Sequence, residues 1–192
     1  MDLSGYPRPS IAEALAFVPP PRESAVLILV HPVEGIDHTL LMRRPVYKGV
    51  HSGQIGFPGG KREPDDADLH ATALREFHEE TGAGVAGFQI LGELTRIHIP
   101  PSRTIVTPVV AWCAALGPLN PDPHEVAQLL DVPMAELLRD DILHKKTIRM
   151  GPDGHEREAL YWALQGQIVW GATAMMIAEL RALLGHPLPP LR

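Results

Sequence analysis

The residues best able to do chemistry lie in Arg75-Glu76-Phe77-His78-Glu79-Glu80-Thr81-Gly82, downstream of Phe57-Pro58-Gly59-Gly60. On a helix, residues three and four apart are neighbours, so Glu76, Glu79 and Glu80 share one side. They span about 100° of arc, and Ala73, Leu74 and Phe77 fill the adjoining arc. One side of the helix therefore packs while the other gathers negative charge. Carboxylates that close repel one another by energies on the kcal/mol scale unless something neutralises them. A hard divalent cation does so through oxygen ligands, and the waters it keeps can become nucleophiles. A solvated acidic face is the plainer reading of a charge run. However, Gly82 stands where a C′ glycine ends a helix, which places the acids in its last turns, against the macrodipole. That placement points to a metal.

These residues resemble the Nudix box, the signature of hydrolases that cleave nucleoside diphosphates linked to another group. Phe77 fills the apolar slot, Gly60 stands as the leading glycine, and Asp66 falls at an acidic position of the pattern. The gap from Asp66 to Arg75 is one residue longer than the general box, a lengthening shared with the branch that hydrolyses coenzyme A. The preceding segment is similar to the one found in that branch. Leu40, Leu41, Arg44, Gly53, Phe57, Pro58, Gly59 and Gly60 match at the right spacing. Met42, Pro45 and Gly49 stand where the branch has threonine, a small residue and a second arginine, and Lys48 carries a charge beside the last of these. Weaker similarity at Pro108-Val109-Val110 and across Val169-Trp170-Gly171-Ala172-Thr173-Ala174 extends over most of the chain.

The resemblance implies an α/β protein: a Nudix-type α/β/α sandwich with a mixed β-sheet, one domain over residues 1–192, with the box at about 60–82 and an N-terminal extension at 1–23. It implies Mg²⁺ or Mn²⁺ held by Glu76, Glu79, Glu80 and the Gly60 carbonyl. Arg75 would orient the carboxylates through charge-assisted hydrogen bonds, and Glu76 or Glu79 would take the proton of the attacking water. Arg44, Lys48, His51, Gln54 and Gly59 would contact substrate. The expected substrate is coenzyme A or a derivative, split into 3′,5′-ADP and (acyl-)4′-phosphopantetheine. The alternatives are another nucleoside diphosphate derivative (ADP-ribose, NADH, a nucleotide sugar) or a binding module that does not cleave. Retention of all the acids argues against the module. Glu125 stays open between an extra acid over the metals and a plain surface residue.

The elements that must position these residues are legible in outline. Ser10 can cap a helix reaching Phe17, and Pro19-Pro20-Pro21 makes a stiff connector. Ala25–His31 and His38–Arg43 read as strands around a turn at Pro32–Asp37. Gly49–Gly60 is loop and short strand, and Asp65, Asp66 or Asp68 can cap the helix that ends at Thr81. Gln89–Ile99 and Ile105–Ala115 read as long strands separated by Pro100-Pro101. A short helix follows at Met134–Arg139. Thr147–Met150 and Glu158–Ala163 flank the turn Gly151-Pro152-Asp153-Gly154, and Thr173–Leu184 is a helix ended by Gly185.

With 192 residues, 45% of them hydrophobic, the chain can bury a real core. A net charge of −6 argues against nucleic acid, while leaving open a small anionic substrate whose charge a cation offsets. The single cysteine, Cys113, sits in an apolar run and reads as a buried thiol. The other histidines have no zinc spacing. No apolar run of about 18 residues suggests a membrane span, and no signal peptide is legible at the N-terminus, so the expected compartment is cytoplasmic.

Overall fold

A long central strand organises the computed structural model, which describes residues 8–49, 51–150 and 155–189. Helix α1 (Ile11–Leu15) opens with the expected cap: Ser10 Oγ accepts from the Glu13 N–H, and the Glu13 carboxylate accepts from the Ser10 N–H. It stops short of Phe17, with Ala16 as its C-cap. Strands β1 (Arg22–Val33) and β2 (Ile36–Arg43) form a hairpin. Its two turn residues, Glu34 and Gly35, both have positive φ, the geometry that suits the right-handed twist of a hairpin.

Strand β3 (Ile55–Gly56) pairs with β2, and β4 (Gly59–Lys61) pairs with β1. Helix α2 (Leu69–Thr81) then crosses over to β5 (Gln89–Glu93), β6 (Ile97–Ile99) and β7 (Thr104–Trp112). Strand β7 runs parallel to β1, whereas the other pairings are antiparallel, so the eight-stranded sheet is mixed. Strand β8 (Gln128–Pro133) covers the other edge of β2, and α3 (Met134–Leu137) follows it. A second, three-stranded sheet contains β9 (Leu143–Met150), β10 (His155–Leu164) and β11 (Gln167–Trp170), after which comes α4 (Gly171–Leu183).

Both faces of β1 are buried, which explains its unbroken apolar run. Ala25, Leu27 and Leu29 face Leu69, Ala73 and Phe77 of α2. Ile28 faces a larger cluster that includes Trp162, Val169, Met176 and Ile177 from the second sheet and α4. This is an α/β sandwich with a mixed sheet between helical layers, as the motifs implied.

Several boundaries moved. The single strand expected over Gln89–Ile99 is two strands, with a register slip between Ile90 and Gly92 and a gap before Ile97. Strands β8 and β11 were not anticipated. Helix α4 begins at Gly171, whose positive φ turns β11 directly into the helix. The expected turn at residues 151–154 lies outside the described residues. No helix among those described is long and apolar enough to cross a membrane.

Candidate active site

Local chemistry fixes both ends of α2. Asp68 caps its start by accepting from the Ala71 N–H at 2.8 Å, and Gly82 ends it in the left-handed conformation. A Cβ at Gly82 would run into the Asn120 carbonyl, and the Asn120 N–H donates to the Thr81 carbonyl at 2.8 Å. The end of the helix is thereby tied to the long segment that carries Glu125.

With its apolar side packed on β1, α2 turns its acids toward β4. Glu80 is buried, and its Oε2 accepts from the Gly59 N–H at 2.7 Å. Its Oε1 lies 3.5 Å from Arg44 Nη2, which also donates to the Gly59 carbonyl at 3.0 Å. Close approach of β4 to β1 requires Gly59, and its close approach to α2 requires Gly60. A Cβ on Gly59 would strike the Ala25 carbonyl and the Val26 backbone, and one on Gly60 would strike the Glu76 carboxyl.

Arg75 is the hub. Nε and Nη2 donate to the two Asp66 oxygens, each at 2.9 Å, as a bidentate pair. Nη2 also donates to the Lys61 carbonyl at 2.9 Å, and Nη1 to Glu76 Oε1 at 3.1 Å and Glu79 Oε2 at 2.8 Å. These bonds occupy all five N–H groups of the guanidinium. Asp66 is braced in turn by the Thr72 hydroxyl and the Glu63 N–H, both at 2.9 Å. The Arg75 bonds hold its carboxyl well below the usual carboxylate range, and Asp66 in return raises the proton affinity of Arg75.

The remaining acids shift the other way. Burial pushes Glu80 up to about 7, against the pull of Arg44 and the Gly59 N–H, and Glu76 and Glu125 push it further. Burial also raises Glu76, opposed by Arg75 and reinforced by Glu79 and Glu125. Glu76 and Glu80 therefore sit in a negative field from the neighbouring acids, opposed by Arg75 and Arg44. Glu125, open in the sequence, is coupled to it despite being exposed.

The acids do not converge uniformly. Glu76 and Glu80 line the turn at Gly59-Gly60, whereas Glu79 is half exposed and bonded to Arg75. Among the described residues, no three acid, histidine or cysteine side chains already form a chelate. The donor set nonetheless fits a hard cation. It is all oxygen and partly desolvated, and no side chain at position 60 fills the space beside Glu76.

Of the expected substrate residues, Arg44, Lys48, His51 and Gln54 lie between β2 and β3, and Gly59 opens β4. The Arg44 N–H donates to the Gln54 carbonyl at 3.0 Å and the Gly53 N–H to the Pro45 carbonyl at 3.1 Å, closing the base of the β2–β3 loop. His51 Nδ1 and Gln54 Oε1 stand 3.0 Å apart and bond each other. Lys48 is exposed. The Tyr47 ring lies against Gly49, where a Cβ would come within 2.8 Å of it. The anchoring of Arg75 by Asp66 was not foreseen. Its signal was an acid in the pattern, nine residues upstream.

Comparison with known proteins agrees with this geometry. The family pattern described as NUDIX domain matches residues 21–151. A protein of Yersinia pestis (strain Pestoides F) bearing the name "Uncharacterized Nudix hydrolase NudL" is 38% identical over 160 residues, which cover 83% of this chain and 78% of that protein. A MutT/nudix family protein from Enterococcus faecalis has a similar structure, with a TM-score of 0.57 and 15% identity over 86% of this chain and 62% of that one. The Ap4A hydrolase of C. elegans in a binary complex aligns with a TM-score of 0.51 and 16% identity, over 61% of this chain and 83% of that one. These two show likeness of fold alone. The domain match and the Yersinia relative each span most of the sequence, and on that ground the chain belongs to the Nudix hydrolase family.

Proposed function

We propose that this Nudix hydrolase cleaves the diphosphate of coenzyme A or a derivative in the cytoplasm, using Mg²⁺ or Mn²⁺ and releasing 3′,5′-ADP and (acyl-)4′-phosphopantetheine. The observation that carries this reading is the lengthened box, in which Asp66 grips the Nε–Nη2 edge of the Arg75 guanidinium with both its oxygens. It stands beside the matched segment from Leu40 to Gly60.

Glu76, Glu80 and the Gly60 carbonyl would hold the cation, with Glu79 at the rim. When bound, the cation supplies charge neutralisation on the bridging oxygens and a polarised water. The chain supplies position. Arg75 fixes Glu76 and Glu79 together, and the Gly59 N–H fixes Glu80. Glu76 and Glu79 are the candidate bases, and burial raises the proton affinity of Glu76. Gly59 and the loop residues His51 and Gln54 would contact the substrate. Lys48 would offer its charge to the 3′-phosphate that sets coenzyme A apart from its competitors.

The test is a substrate panel (coenzyme A, acetyl-coenzyme A, dephospho-coenzyme A, ADP-ribose, NADH, a nucleotide sugar) with each metal, read by product masses. Coenzyme A should be turned over fastest and yield 3′,5′-ADP. Much faster consumption of dephospho-coenzyme A or ADP-ribose would overturn the substrate and leave a hydrolase of another nucleoside diphosphate derivative.

A further inference from the structure

Arg44 is where the acids and the substrate loop meet. It follows directly on β2, and its backbone N–H closes the loop on Gln54. Its side chain turns toward the acids. Nη2 donates to the Gly59 carbonyl at 3.0 Å and faces Glu80 Oε1 at 3.5 Å, while the Gly59 N–H donates to Glu80 Oε2 at 2.7 Å. Guanidinium, peptide and carboxylate thus form a closed ring. The Glu80 side chain is 3% exposed and that of Arg44 32%. The other nearby arginine, Arg75, has all its donors engaged by Asp66, Lys61, Glu76 and Glu79.

We infer that Arg44 is a positioning residue with two opposed effects: it holds Gly59 and Glu80 in register, and its charge competes with the divalent cation for Glu80. The inference rests on the cation site proposed above at Glu76 and Glu80. A cation there would face a guanidinium already set against the same carboxylate, and like charges that near repel appreciably even close to the surface. Removing the charge therefore favours the cation. Removing the bond to the Gly59 carbonyl frees the turn that carries Gly60, and misplacement on the ångström scale is costly to a reaction that depends on positioning. The two effects separate in experiment: tighter metal with slower turnover, a pairing that a generally damaged site does not give.

The test titrates Mn²⁺ into full-length wild-type protein and into Arg44→Met and Arg44→Lys, following the EPR signal of free Mn²⁺. Steady-state kinetics on coenzyme A and thermal melts run alongside. Arg44→Met should bind Mn²⁺ roughly three- to tenfold more tightly and lose about tenfold or more in kcat, with KM moved less. Arg44→Lys, which keeps the charge, should bind Mn²⁺ as wild type does and recover part of kcat. If Arg44→Met does not fold, the neutral Arg44→Gln carries the same test. Unchanged or weaker Mn²⁺ binding in a folded neutral variant overturns the inference, as does a loss confined to KM, which would make Arg44 a substrate contact. Absence of Mn²⁺ binding by the wild type would overturn the cation site itself.

Discussion

At the scale of single residues, the acids divide into unlike roles although their sequence spacing makes them look equivalent. Glu80 is buried and bonded to backbone, and Glu79 is exposed and bonded to Arg75. Glu80→Gln keeps the shape and removes the charge. It should lower kcat by at least ~10², about 2.7 kcal/mol of transition-state stabilisation. Near-normal turnover at saturating metal would show that the metal lies elsewhere. Asp66→Asn tests the hub from outside the acid cluster, because it breaks a charge-assisted pair whose carboxyl is buried. A cost of about 1.5–3 kcal/mol in stability is expected, together with slower turnover as Glu76 and Glu79 lose their anchor. The pH dependence follows from the lowered proton affinity of Asp66. Its contribution is fully present above the unfolded-state value near 4 and is lost as pH falls toward the lower folded value. Acid titration of stability should therefore be shallower below pH ~4 in Asp66→Asn than in wild type; parallel curves would count against the pair.

At the scale of elements, the site is a strand laid against a helix, and each of its glycines has its own task. Gly59 has positive φ, and a Cβ there meets the backbone of β1, which cannot move aside. Gly59→Ala should therefore damage folding, lowering stability by roughly 1–3 kcal/mol or more. At Gly60 the Cβ meets only the Glu76 carboxyl, the end of a flexible side chain. Gly60→Ala should keep a near-wild-type melting temperature while losing activity and Mn²⁺ affinity. Melts and metal titrations of the two variants separate these outcomes, and a Gly60→Ala protein with normal turnover would refute the close packing of β4 on α2. Helix α2 itself was legible, because its caps Asp68 and Gly82 and its apolar stripe are neighbours along the chain. Strand β8 was not. Gln128–Pro133 mixes polar and apolar residues without clear alternation, and it is a strand because the edge of β2 offers it a partner.

At the scale of the whole molecule, the loop bearing Glu125 returns to the acids because Asn120 is bonded to the end of α2 and Ala127 to Arg43. Glu125 acts on Glu76 and Glu80 through its field and is exposed, so solvent screens it. Glu125→Gln should weaken Mn²⁺ binding by about three- to tenfold, with a smaller loss in turnover than Glu80→Gln. An unchanged metal affinity would leave Glu125 a surface residue. The sequence alone determined what depends on neighbours along the chain: the capped helix, the acids on one side of it, the glycine turn before it and the family that pattern belongs to. Tertiary structure decided the rest: that Glu80 is buried and Glu79 is not, that Asp66 holds Arg75, that Arg44 turns inward to Glu80, and that the field of Glu125 reaches Glu76 and Glu80. Helical periodicity says which side of a helix a carboxylate occupies. Its burial, its charge and its partner depend on backbone brought from distant parts of the chain, and only the packed sheet brings that backbone near.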